Sequence, residues 1–182
     1  SALQHAHQLD PTTSRVMYQP GLDPARVAQA IVEAVRRQPH LQLRARWVDG
    51  DVRLSTQAGQ PFGLHAITRV DARDWTPDRL RKTLDDAHRA PFQLAQAGPF
   101  RAGIWRIPGG RLVVQWSLHP VAGDTATAAL FDRDLRRTIG ALHTGGTSSR
   151  GPSPSSRLSY PSYAARQALD LATGTASIQR SA

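Results

Sequence analysis

Leu112-Val113-Val114-Gln115-Trp116-Ser117-Leu118-His119-Pro120-Val121-Ala122-Gly123-Asp124-Thr125 is the stretch on which the fold turns. Its first seven residues are apolar and β-branched enough for a strand. Alternation sets Leu112, Val114, Trp116 and Leu118 on a buried face, with Val113, Gln115 and Ser117 on the other. Pro120 ends the strand. Beyond Asp124, Phe131, Leu135, Ile139 and Leu142 recur at helical spacing, which predicts an amphipathic helix from about Ala126 to Leu142. Upstream, a strand from about Phe100 turns at Pro108-Gly109-Gly110 and makes a hairpin with this one.

Further elements follow outward in both directions. Asp23 can cap a helix whose first position is Pro24, and Val27, Ile31, Ala34 and Val35 share its face. That helix stops before Pro39. Leu41, Leu43, Ala45 and Trp47 alternate with Gln42, Arg44 and Arg46, the pattern of a half-buried strand. Asp49-Gly50 turns it into a return strand carrying Val52 and Leu54. A strand is expected from Leu64 to Val70. Thr76 and Pro77 then open a helix with Leu80, Leu84 and Ala87 as its buried stripe. The first 20 residues hold the turn signals Asp10-Pro11 and Pro20-Gly21 and little periodicity. Residues 144–159, made of Gly, Ser, Thr and Pro with almost nothing apolar, read as a flexible loop. A short helix from Ser162 to Ala172 follows. The order α-β-β-β-α-β-β-α-α defines an α+β class, and no internal repeat is present.

Composition narrows the functions. The chain has 182 residues, room for one domain with a sizeable core or a fragment of a larger one. No apolar run approaches the length of a membrane span. With no cysteine, disulfide scaffolds and thiolate metal sites are excluded, which fits a cytoplasmic protein. Net charge is +9, carried almost wholly by arginine, with Lys82 the single lysine and Glu33 the single glutamate. The arginines are dispersed without a basic run, so the charge favours an acidic protein partner over nucleic acid.

The common catalytic signatures are missing. Gly109-Gly110 and Gly145-Gly146 are isolated pairs rather than a phosphate loop. Gly146 to Gly151 is one residue too long for a serine nucleophile elbow. His5 and His7 lack further metal ligands nearby, and His40, His65, His88 and His143 are scattered. His119 alone stands where a rigid strand opens into a loop, a good place for a base. The plainer reading is a histidine bonded locally, with Asp124 as a helix N-cap.

Four segments together resemble the condensation domains of nonribosomal peptide synthetases. They are Arg36-Arg37-Gln38-Pro39-His40-Leu41-Gln42-Leu43-Arg44-Ala45-Arg46-Trp47; Pro91-Phe92-Gln93-Leu94 with Gly98-Pro99-Phe100-Arg101-Ala102; Trp116 to Thr125; and Tyr160-Pro161-Ser162-Tyr163-Ala164-Ala165-Arg166-Gln167. The first is similar to that family's Arg-His-x-x-Leu-Arg-x-x-Phe segment. The third sits where the family carries His-His-x-x-x-Asp-Gly. The last resembles its Tyr-x-Asp-Tyr-Ala-x-x-Gln segment. The resemblance implies a single chloramphenicol-acetyltransferase-like lobe, a mixed sheet covered by helices. Residues 1–182 would be the N-terminal half of a two-lobed domain, with the segment before Leu22 shortened enough to delete a strand.

The resemblance breaks at the chemistry. His119 aligns with the first histidine of the motif, Asp124 with its carboxylate and Thr125 with its glycine. Pro120 stands in place of the second histidine, the one tied to catalysis. Proline has neither a titratable group nor an N–H. No catalytic residue is therefore expected beyond the remnant His119, Pro120 and Asp124. The implied role is a scaffold or interaction element of an assembly line, partnered by adenylation and carrier domains. No cofactor is implied, since phosphopantetheine would arrive on the carrier. The alternative is an amide-forming acyltransferase using His119 as base, completed by a second lobe. For docking, Arg133, Arg136 and Arg137 cluster on the helix side opposite Phe131, Leu135 and Leu142.

Overall fold

The computed structural model describes residues 11–49, 51–55 and 61–143. In chain order these form β1 (Thr12–Tyr18), α1 (Pro24–Arg36), β2 (Arg44–Val48), β3 (Asp51–Ser55), β4 (Ile67–Asp71), α2 (Pro77–Arg89), β5 (Phe100–Arg106), β6 (Leu112–Leu118) and α3 (Thr125–His143). The strands make a four-stranded sheet of order β1-β6-β5-β4 and a separate β2-β3 pair. β6 runs antiparallel to both β1 and β5, while β4 joins β5 in parallel through the α2 crossover. The sheet is mixed, as the resemblance implies. The loop expected over residues 144–159, the helix at Ser162–Ala172, and His5 and His7 lie outside the described residues.

β6 is the centre of the packing. All seven of its residues are buried, so the expectation of one buried face is corrected. On the first face α1 and α3 press Val27, Ile31, Phe131 and Leu135 against Ile104, Val114 and Trp116. Phe131 meets Phe100 and Trp116 edge-on, at ring separations of 5.2 and 5.1 Å. On the second face α2 brings Leu84 to Trp105 and Val113. There Gln115 satisfies its amide by donating to the Leu84 carbonyl at 3.0 Å, which lets a polar side chain stay inside.

Local chemistry accounts for most element boundaries. Asp23 accepts from the Ala25 amide at 2.9 Å and Thr76 from the Arg79 amide at 3.2 Å, capping α1 and α2 ahead of Pro24 and Pro77. The β5–β6 turn places Gly109 and Gly110 at φ 75° and 73°, the left-handed region glycine enters without strain. Asp49 takes φ 53° at the turn between β2 and β3.

Three boundaries differ from expectation. The strand expected from Leu41 begins at Arg44, because Pro39 starts a 3-10 turn, Pro39–Gln42, closed by the Leu41 amide on the Gln38 carbonyl. The strand expected from Leu64 is preceded by another such turn, Leu64–Ala66. The third is the segment before Leu22, which does form a strand, β1. Its polar residues hid it: Thr13 and Ser14 show no apolar alternation, yet each has a partner across the fold.

Candidate functional site

The site is built where the end of β6 meets the loops after α1 and α2. His119 is 2 % exposed, and its backbone amide donates to the Pro99 carbonyl at 2.8 Å. Its ring lies edge-on to Phe92, centroids 5.4 Å apart. Phe92 in turn packs with Ala45, Leu94 and the partly buried Val121. Nδ1 of His119 accepts the Val121 amide at 3.1 Å, across the short turn Pro120–Ala122. A ring nitrogen that accepts carries no proton, so a neutral His119 held this way keeps its proton on Nε2.

Two buried or half-buried arginines hold the surrounding loops. Arg44, 5 % exposed, donates from Nε to the Gln96 carbonyl at 3.1 Å and from Nη1 to the Gln42 and Leu43 carbonyls. Burial lowers its pKa, and the ring of carbonyls offsets that desolvation. Gly98, at φ +83°, is required beneath it: an added Cβ would lie 2.1 Å from Arg44 Nη1 and 2.8 Å from the Leu43 carbonyl oxygen. Arg101 reaches from β5 to the end of α2, donating to the His88 carbonyl at 2.6 Å and to the Ala90 carbonyl. Its guanidinium also lies 4.1 Å over the Phe92 ring. Burial lowers the Arg101 pKa as well.

Asp124 is exposed and caps α3. Its Oδ1 accepts the Thr127 amide and the Thr127 hydroxyl, both at 2.8 Å. The amide bond first and the hydroxyl bond second hold its carboxyl below the ordinary carboxylate range. Pro120 is partly buried beside His119, and Thr125 opens the helix.

The α3 arginines expected to dock a partner do not share one environment. Arg136 pairs with Asp132 and donates to the Ser14 hydroxyl at 3.1 Å, tying α3 to β1. Arg137 approaches Asp134 at 3.5 Å, and Arg133 is exposed with no partner among the described residues. Of the scattered histidines, His88 bonds Thr13, His65 is exposed, and half-buried His40 has its pKa lowered by burial. Among the described residues no group of three His, Asp or Glu side chains could hold a metal ion. No helix among them is long and apolar enough to cross a membrane.

Three of the four sequence segments thus converge on His119: Ala45 and Arg44 from the first, Phe92, Leu94, Gly98 and Arg101 from the second, and His119 to Asp124 from the third. The fourth, Tyr160 to Gln167, lies outside the described residues. Arg44 and Arg101 were not singled out from sequence. Nothing in one sequence separates a clamping arginine from 20 others.

The condensation-domain family model matches residues 8–174. The chain belongs to the condensation-domain family. It is 27% identical over 139 residues to an isonitrile lipopeptide synthase of Mycobacterium tuberculosis, a match spanning 76% of this chain and 6% of that protein. The X-domain from teicoplanin biosynthesis has the same fold at TM-score 0.71 and 20% identity, over 92% of this chain and 35% of that one. In its complex with OxyB that domain matches at TM-score 0.65 and 20% identity, over 81% of this chain and 31% of that one. The first condensation domain of the calcium-dependent antibiotic synthetase, in complex with a substrate analogue, matches at TM-score 0.66 and 19% identity, over 91% of this chain and 41% of that one. The sequence therefore spans well under half of each of these proteins.

Proposed function

We propose that this chain is a condensation-like domain that forms no amide bond itself and serves as a scaffold or interaction element of a nonribosomal peptide synthetase. One observation carries the reading: the motif offers no free base. Pro120 stands where the second histidine belongs. At His119 one ring nitrogen is engaged by the Val121 amide and the other holds the proton of the neutral ring. Losing a positioned base typically costs about 100- to 10,000-fold in rate. The X-domain in complex with OxyB supports an interaction role, since there a condensation fold binds another protein. Similarity to an isonitrile lipopeptide synthase supports placement in a peptide-assembling synthase, and the reading takes carrier and adenylation domains as the partners. The domain needs no cofactor of its own, and phosphopantetheine reaches it only on a carrier.

An assay on loaded donor and acceptor carrier domains tests the chemistry. Amide formation should stay at background with and without the protein. Turnover above background that disappears in His119→Ala overturns the reading in favour of an acyltransferase with His119 as base.

For docking, the same reading uses the α3 face of Arg133, Arg136 and Arg137 against an acidic partner domain. Such a patch acts mainly through association rate and weakens as salt rises. Replacing Arg133 and Arg137 with Ala should weaken carrier binding severalfold at low salt and leave the fold intact. Wild-type affinity in that variant removes α3 as the docking face.

A further inference from the structure

Arg69 and Arg106 form a second arginine group, which no part of the motif or of the proposed docking face uses. Arg69 lies on β4 and Arg106 at the end of β5, and the parallel register sets Arg69 beside Ile104 and Asp71 beside Arg106. Six residue steps along β5 separate Arg106 from Phe100, which pairs with Leu118 next to His119. At about 3.3 Å per residue that puts this end of the sheet about 20 Å from the motif.

Arg69 and Arg106, with Pro24 at the start of α1 and with Val70, Asp71 and Ile104, line a cavity of about 170 Å³. Both arginines are exposed, and among the described residues neither has a hydrogen-bond or ion-pair partner. The one carboxylate in the lining is already engaged. Arg73 grips Asp71 with Nε at 2.9 Å and Nη2 at 2.6 Å, and this bond holds the Asp71 carboxyl below its ordinary range.

The balance of charge decides what such a cavity can take. Asp71 also lies opposite Arg106 and is held down in part by its charge, so one carboxylate serves Arg73 and Arg106, and with Arg69 the cluster keeps a net charge of +2 and a like-charge repulsion. A group bearing two negative charges relieves that repulsion, and planar guanidiniums bind phosphate oxygens in a paired fork. Pro24, Val70 and Ile104 supply an apolar wall beside the charges. The volume equals the space of about six waters, enough for a phosphate and a short carbon substituent. The arginines of α3 contrast with this, since Asp132 and Asp134 already face two of them.

We propose that the cavity between β4, β5 and the start of α1 is a binding site for a small organic phosphate monoester, gripped by Arg69 and Arg106. The site is independent of the motif and of the proposed scaffold role. Calorimetric titration of the full chain at low salt, with butyl phosphate and inorganic phosphate as probes, tests it. Butyl phosphate should bind saturably, severalfold tighter than inorganic phosphate, and Arg69→Ala/Arg106→Ala should lose at least tenfold while keeping its melting temperature. Arg133→Ala/Arg137→Ala, which removes the same charge elsewhere, should bind as wild type does. Absence of saturable binding, equal loss in both double variants, or equal affinity for the two probes overturns the assignment.

Discussion

The two faces of the four-stranded sheet are held by different physics. The face under α1 and α3 is apolar and aromatic, with Phe100, Trp116 and Phe131 in mutual contact and Phe62 edge-on to Phe100. The face under α2 combines a smaller apolar cluster with a polar ladder. In that ladder Thr13 bonds both His88 and Ser117, and Arg15 reaches Gln115 and Asp85. Burial of aromatic area is large and non-directional, so the first face supplies stability. Hydrogen bonds gain little net but cost much when left unmade, so the second face selects register. β1 shows the division most clearly. It has a single strand neighbour, β6, and polar partners fix it from both sides.

Truncation on the apolar face should have the largest effect. Phe131→Ala removes two aromatic contacts and leaves a cavity, an expected loss of about 3–5 kcal/mol by chemical denaturation. Leu84→Ala on the opposite face should cost about 2–3 kcal/mol, the low end for such a change, because its cluster is smaller. An equal cost at the two sites would erase the distinction between the faces.

The polar ladder predicts a smaller but directional effect. Thr13→Val keeps shape and strips the hydroxyl, leaving Ser117, which is 1 % exposed, without that partner. The expected cost is about 1–3 kcal/mol. Thr13→Val/Ser117→Ala should recover part of it, since both partners then go together. A double variant no more stable than the single one would show that the bond between the two hydroxyls contributes nothing.

Asp124 should show the smallest effect, and the one with a pH signature. Its carboxyl is held below its ordinary value near 3.8 by the Thr127 amide and hydroxyl. A carboxylate depressed in the folded state adds stability that is present above the unfolded pKa and lost as pH falls through the folded one. Asp124→Asn should therefore lower the melting temperature slightly at pH 7, and the difference should shrink as pH falls below the ordinary carboxylate range. A difference that persists at low pH would mean that the cap does not depend on the charge.

Much of this was legible in the residues themselves. Local rules located the helix N-caps at Asp23, Thr76 and Asp124, the prolines after the first two, the Gly109-Gly110 turn and the stripe of α3, because each depends only on neighbours a few positions away. The departure from the family motif at Pro120 was legible too, since proline lacks a titratable group in any fold.

What the sequence could not reveal were relations between distant segments. β1 was invisible because its polar residues are satisfied by His88, Ser117 and Asp132, more than 70 positions away. The second buried face of β6 depended on where α2 docks. The tautomer of His119 was decided by the Val121 amide once the Pro120 turn had formed. Which arginines clamp, which pair and which stand unpaired was decided by the carbonyls and carboxylates that the fold brings within reach. Charge sits in the sequence, but its partners are a property of three dimensions.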